Sequence, residues 1–338
     1  MQRVSTRIAI ALLTVWCAAG CVYTEPAPGL DASPVVTLSP VVPPSTDESL
    51  ARALAARRAG EYEVALAAFR EILAHDPTIA AAYVGIGEIY LLRQDYADAE
   101  GVLARAARLE PRNFDAQYGH GRALQMLERF AEASRAFHRA LTIDPDSIDA
   151  NRHMATTYLQ MGEPSSALVF AEKAVEIEPG NGPARANLGT IYREVGRSAD
   201  AIQQYEAASE LMEATPPLLM NLIKALVDQE RYVDAMNAAE VLVELAPSAQ
   251  SWERLGWCAF RMGNYRKSIE AYRDAVRIDP DFWPALNGVG CNALNTWLLS
   301  GKRDSRAFLE AREAFRRSLR VNPDQQKVIS LLSQYGSR

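Results

Sequence analysis

The sequence predicts an all-α protein: an α-α superhelix of about eight helical hairpins, closed by a C-terminal capping helix. Three observations carry that prediction. Prolines recur at Pro77, Pro111, Pro145 and Pro179, each 34 residues apart, with Pro247 two periods on, Pro280 after 33 and Pro323 after 43. Small residues keep the same frame. With these prolines numbered 32 in their repeats, position 20 is Ala65, Ala99, Ala133, Ala167, Ala201, Ala235, Ser268 and Ala311. Large residues fall between them, notably Phe69, Phe137, Tyr205, Tyr272 and Phe315 at position 24. A fixed period of this length marks stacked supersecondary units, each burying its apolar face only against its neighbours.

The chain opens with a segment of different character. Arg3 and Arg7 precede the apolar run Ile8 to Trp16, which leads to Cys17-Ala18-Ala19-Gly20-Cys21. A basic start, a short apolar core and small residues before a cut site predict a secretory signal peptide over residues 1–20; the run is too short for a transmembrane helix. The ending resembles the lipobox of bacterial lipoproteins, with Ala18 where leucine is commonest. That resemblance implies that Cys21 is acylated and becomes the first mature residue. Val22, which is not Asp, then favours the outer membrane where the proteobacterial sorting rule applies. An ordinary signal peptide cut near Ala19 is the alternative. Residues 21–47 hold Pro26, Pro28, Pro34, Pro40, Pro43 and Pro44 among Ser, Thr and Val. This composition predicts an extended tether, reaching about 80 Å at ~3.1 Å per residue.

Ser45 and Glu48 have the spacing of a capping box that starts the first helix of a superhelix over 48–323. The repeats fall near 46–79, 80–113, 114–147, 148–181, 182–215, 216–248, 249–282 and 283–325. Position 8 is Ala53, Gly87, Gly121, Ala155, Gly189, Ile223, Gly256 and Gly290; position 27 is small in most repeats. Gly60, Gly162, Gly196 and Gly263 at position 15 mark the turn between the helices of a hairpin. An aromatic follows two residues later at Tyr62, Tyr96, Phe130, Tyr232 and Tyr265. This is a pattern that resembles the tetratricopeptide repeat, from about Ser45 to Pro323. Three departures stand out. The fifth repeat has Glu213 for proline, with Pro216 and Pro217 just beyond. The sixth has Ile223 where Gly or Ala is usual. The eighth carries nine extra residues around 300–305, with Trp297 beside them. Residues 324–338 predict a helix and tail that seal the open end with Val328, Leu331 and Leu332.

The resemblance implies that the first helices line a concave groove, with positions 2, 5, 6, 9, 12 and 13 facing it. Those positions supply Tyr118, Arg122, Arg152, His153, Asn187, Thr190, Arg193, Asn221, Lys224, Arg254, Trp257 and Phe260. Asn187 and Asn221 both stand at position 6, matching the asparagine ladder with which family members hold an extended peptide; an amide offers both donor and acceptor to a peptide unit. Arg152, Arg193, Lys224 and Arg254 add positive charge, and Trp257 and Phe260 an apolar anchor. A dicarboxylate clamp is incomplete, because Ala186 stands where lysine is required.

Composition narrows the partners. With 36 basic and 42 acidic residues the formal charge is −6, and no basic run stands out. Phosphate neutralisation needs clustered positive charge, so nucleic acid is not an expected partner. No HExxH, GxSxG or GxxxxGK[ST] occurs. His75, His120, His138 and His153 lack the i, i+4 spacing of a helical metal site. No catalytic residue, metal, cofactor or small-molecule substrate is expected. Cys258 and Cys291 lie on adjacent repeats, where equivalent points are usually too far apart for a disulfide. The reading is a lipid-anchored scaffold on the periplasmic face of the outer membrane, binding proteins or extended peptide segments. It is similar to tetratricopeptide lipoproteins serving pilus, secretin or outer-membrane assembly. The alternatives are a regulatory subunit that activates a cell-wall enzyme, and more remotely an enzyme of unrecognised chemistry.

Overall fold

The computed structural model describes residues 45–335. The expected signal peptide, Cys21 and all of the tether before Ser45 lie outside the described residues. Seventeen helices and no strand occur among the described residues. They pair in order: α1 (Thr46–Arg58) with α2 (Tyr62–His75), α3 (Ala80–Arg93) with α4 (Tyr96–Leu109), α5 (Phe114–Met126) with α6 (Phe130–Ile143), and α7 (Ile148–Gln160) with α8 (Pro164–Ile177). Then follow α9 (Gly182–Glu194) with α10 (Ser198–Leu211), α11 (Pro216–Asp228) with α12 (Tyr232–Leu245), α13 (Ala249–Arg261) with α14 (Tyr265–Ile278), and α15 (Trp283–Leu299) with α16 (Ser305–Val321). The eight hairpins pack consecutively as a tetratricopeptide superhelix, and α17 (Gln326–Tyr335) covers the end.

Turn chemistry explains the punctuation. Gly60, Gly162, Gly196 and Gly263 end their first helices at φ between 74° and 82°, the left-handed region that glycine enters without steric cost. Gln94, Glu128 and Glu230 hold the same position at φ 66°, 58° and 56°, so three hairpins make this turn with a side chain present. The second helices end in extended residues ahead of proline, as at Asp76, Asp144 and Asp279. There the carboxylate accepts from the backbone N–H two residues on, at 2.8 Å (Thr78), 3.2 Å (Asp146) and 3.0 Å (Asp281). Asn322 does the same for Asp324 at 3.1 Å. An acidic or amide residue before proline therefore stops the helix and holds the turn. Ser45 caps α1 through the Glu48 N–H at 3.2 Å. The full reciprocal capping box occurs instead at Ser248 and Ser251 on α13. The fifth turn is shifted as the sequence suggested: Thr215 caps α11, whose first residues are Pro216 and Pro217.

Within each hairpin, position 8 of the first helix meets position 24 of the second. A Cβ built on Gly87 would lie 2.4 Å from Leu103, on Gly121 2.6 Å from Phe137, on Gly189 2.8 Å from Tyr205, and on Gly290 2.5 Å from Phe315. The ring or leucine occupies the volume that a side chain would need. In the sixth hairpin the sizes are exchanged: Ile223 is buried and position 24 is Ala239, also buried. The repeat that looked degenerate keeps the pair's volume with the partners reversed.

The nine extra residues lengthen both helices of the last hairpin to 17 residues, against 13 and 14 in its neighbour. Trp297 is buried there, 4.7 Å from the Phe308 ring and 5.9 Å from the Tyr335 ring of α17, which also brings Val328, Leu331 and Leu332 onto that core. Cys258 and Cys291 are free thiols; burial pushes Cys258 up to about 11 and raises Cys291. Both are protonated and unreactive at neutral pH.

Candidate functional site: the inner face of the first helices

The hairpins stack unevenly. First helices of successive hairpins touch, α1 with α3, α3 with α5, α5 with α7, α7 with α9, α9 with α11 and α13 with α15, while successive second helices make no comparable contact. The stack therefore bends toward its first helices, which form the inner face.

Position 6 governs how closely these helices approach, because it lies over position 24 of the preceding hairpin. A Cβ on Gly85 would fall 2.2 Å from Phe69, and one on Gly288 2.2 Å from Tyr272. His153 fills the same place above Phe137, with ring centroids 5.7 Å apart. Its Nδ1 meets Gln125 Oε1 at 2.7 Å, and Gln125 donates onward to Thr157 at 2.9 Å. Burial, with the Arg152 and Arg122 charges nearby, pulls His153 down to about 4. The imidazole is neutral at pH 7 and serves as a packing and hydrogen-bonding group.

The residues expected to line the groove fall into separate local clusters. Arg152 ion-pairs with Asp149 at 2.9 Å, one turn earlier on α7. Asn187 donates to Thr156 Oγ1 at 3.0 Å, while its Oδ1 is enclosed without a partner. One of its two N–H donors is thus used between hairpins and its oxygen is enclosed, so only rearrangement would turn both ends of the amide to a bound peptide. Asn221 is half-buried and makes no side-chain hydrogen bond among the described residues, so it is the freer of the two amides. Arg193 pairs with Glu194. Trp257 lies 6.1 Å from the Tyr232 ring with Arg261 over both rings, and Phe260 lies 5.4 Å from Tyr265. These aromatics stitch α13 to α12 and α14 more than they form an open anchor.

Lys224 and Arg254 are the pair that the structure does bring together. They face one cleft of about 400 Å³, formed by α11, α13 and the start of α15. Glu253 and Trp283 also line it; the sequence reading named neither as a groove residue. Glu253 sits at an inner position and could have been found there, but a lone carboxylate among cations gave no reason to choose it. Burial raises its pKa, and the Arg254 charge opposes that rise.

Several solved structures share its fold. The PilF structure from Pseudomonas aeruginosa matches with a TM-score of 0.54 at 20% identity, over 60% of this chain and 92% of that one. A chain of the APC/C hetero-tetramer Cut9–Hcn1 gives 0.54 at 19%, over 86% of this chain and 56% of that one. A tetratricopeptide repeat protein from Parabacteroides merdae gives 0.53 at 16%, over 75% and 97%. At these identities the likeness is one of fold. No curated protein matches by sequence. Four family models, each described as tetratricopeptide repeat, match residues 50–109 and 93–148, 124–188, 182–214, and 249–282. The matched segments together span more than half of the 338 residues, and the chain belongs to the tetratricopeptide repeat family.

Proposed function

We propose that this protein is a membrane-anchored scaffold that holds other proteins, or extended segments of them, in the groove lined by its first helices. The observation that carries the binding role is the inner face itself. Its inward bend carries the half-buried Asn221 amide, which makes no side-chain hydrogen bond among the described residues, and opens into a cleft at Lys224 and Arg254. The anchoring half of the reading rests on the sequence from Arg3 to Cys21. Two acyl chains on Cys21 would give stable attachment where one chain is marginal. A scaffold held at the periplasmic face of the outer membrane suits envelope assembly, the system in which we place it.

Two experiments test this. A photoreactive residue placed at Lys224 should capture a protein in the native cell, whereas one at Val241, exposed on the second helix α12, should not. Capture at Val241 alone would move the binding surface to the other face. Intact-mass analysis should show a lipid-modified chain beginning at Cys21, and Cys21→Ala should release the protein from membranes. An unmodified N-terminus, or one at another residue, rejects the anchor.

A further inference from the structure

Among successive first helices, α11 and α13 make the least contact. Position 6 explains why. Glycine stands there in α3, α5 and α15, as Gly85, Gly119 and Gly288, and the preceding helix comes close. In α13 the residue is Arg254, the largest side chain at this position, and the two helices splay. The cleft of about 400 Å³ occupies that gap. Part of its lining carries charge. Lys224 is exposed with no ion pair among the described residues. Arg254 is paired through Nε with Glu253 Oε2 at 3.0 Å, and the Glu253 side chain is only 9% exposed. Apolar groups line it as well: Met220, one turn before Lys224 on α11, and Phe282 and Trp283 at the start of α15, with Trp283 38% exposed.

We propose that this cleft is a specificity pocket for an extended segment of a partner protein that carries a carboxylate side chain and, two residues away, a bulky apolar side chain. The inference rests on the groove-binding reading above and names the chemistry of its ligand. Two cations and one buried carboxylate line the cleft, which leaves one net positive charge on its wall. An arginine has five N–H donors in a fixed fork. Glu253 pairs with the guanidinium by charge near Nε without a hydrogen bond to it, which leaves the Nη groups for a bidentate hold on a second carboxylate. Lys224 supplies a point charge to the same group. In an extended chain, residues i and i+2 point the same way, about 7 Å apart. A carboxylate held by Lys224 and Arg254 therefore sets its i+2 neighbour against the wall made by Met220, Phe282 and Trp283. Glu253 is a positioning residue here, and it repels a carboxylate that fails to reach the Nη groups.

The test is selection from a display library of random dodecapeptides, against wild type and against Lys224→Glu and Trp283→Ala, each checked for unchanged helical circular dichroism. Wild type should enrich peptides with Asp or Glu two residues from Phe, Trp, Leu or Met. Lys224→Glu should lose the acidic preference but keep the apolar one, and Trp283→Ala the reverse. A synthetic peptide of the enriched sequence should bind Lys224→Glu at least about tenfold more weakly, since apposed like charges are costly. Replacing Glu253 with Gln should weaken that peptide without erasing its acidic preference. Enriched peptides that lack the acid–apolar pair, or that need a free C-terminal carboxylate, overturn the pocket and leave groove binding intact. An acidic preference unchanged in Lys224→Glu overturns it too. No enrichment by wild type overturns both readings.

Discussion

Replacing glycine by alanine at Gly121 and at Gly101 should shift stability in opposite directions, because only space distinguishes the two sites. Both lie inside helices, α5 and α4, where alanine is favoured over glycine by about 1 kcal/mol. At Gly101 an added Cβ meets nothing within 4 Å, so that propensity gain is realised. At Gly121 the Cβ would sit 2.6, 2.7 and 3.0 Å from three atoms of the Phe137 ring. Carbon atoms prefer about 3.5–4.0 Å, so the overlap approaches 1 Å. The ring cannot swing aside: it is fully buried, with His153 stacked 5.7 Å away and Tyr118 at 6.1 Å. Overpacking of this kind costs about 1–3 kcal/mol. Because propensity cancels between the two sites, the whole difference between Gly121→Ala and Gly101→Ala should be about 1–3 kcal/mol. Phe137→Leu should relieve the clash, so the double change Gly121→Ala, Phe137→Leu should be more stable than the sum of its parts by at least about 1 kcal/mol. Urea unfolding followed by helical circular dichroism measures all four variants. If Gly121→Ala stabilises as much as Gly101→Ala, or the pair adds within about 0.5 kcal/mol, the packing account of position 8 is refuted.

The other predictions concern pH, turns and the cap. Folding keeps His153 neutral down to about 4, against 6.5 when unfolded, so its stabilising share is complete above pH 6.5 and is lost as pH falls toward 4. Wild type should lose about 2 kcal/mol more than His153→Gln between pH 7.5 and 5 in urea midpoints, and parallel profiles would reject this. Gly196→Ala should destabilise by about 1 kcal/mol, while Glu230→Gly, which removes a side chain from φ 56°, should stabilise by about 0.5 kcal/mol. Trp297→Ala should cost about 3–5 kcal/mol. Hydrogen exchange should place that loss in α15 to α17 and leave α1 to α10 unchanged, as expected where each repeat contacts only its neighbours.

The periodic part of this molecule was legible in its sequence. Hairpin number, the glycine turns, the acid-proline stops and the capping helix all repeat or close a repeat, and each has a local cause that one residue type reveals. The pairwise part was harder to read. Taken alone, Ile223 looks like decay of the sixth repeat; set against Ala239, sixteen residues on, it is one half of a reversed pair. The inner face shows the same limit. Position in the repeat told which side chains face inward, but not which are already committed. Asn187 is held by Thr156, Arg152 by Asp149, and Trp257 by Tyr232 and Arg261. Those commitments join different helices, or different turns of one helix, and a list of inward positions does not contain them.

A stack of near-identical hairpins has a difficulty that a single closed core lacks. If every interface is the same, the groove is uniform and no place in it can discriminate. The departure must change one interface without breaking its neighbours, and in a solenoid it can, because the coupling is between nearest neighbours. Position 6 is where such a change acts most directly, since it lies over the preceding hairpin's position 24 and sets the approach of the first helices. Where glycine stands there the first helices come close; at Arg254 they stand apart and the gap is charged. An arginine at this position therefore brings charge to the gap that the cleft occupies. A site in a repeat protein is best sought where an inner position changes sharply from one hairpin to the next, and in this chain Arg254 of α13, between Asn221 of α11 and Gly288 of α15, marks such a place.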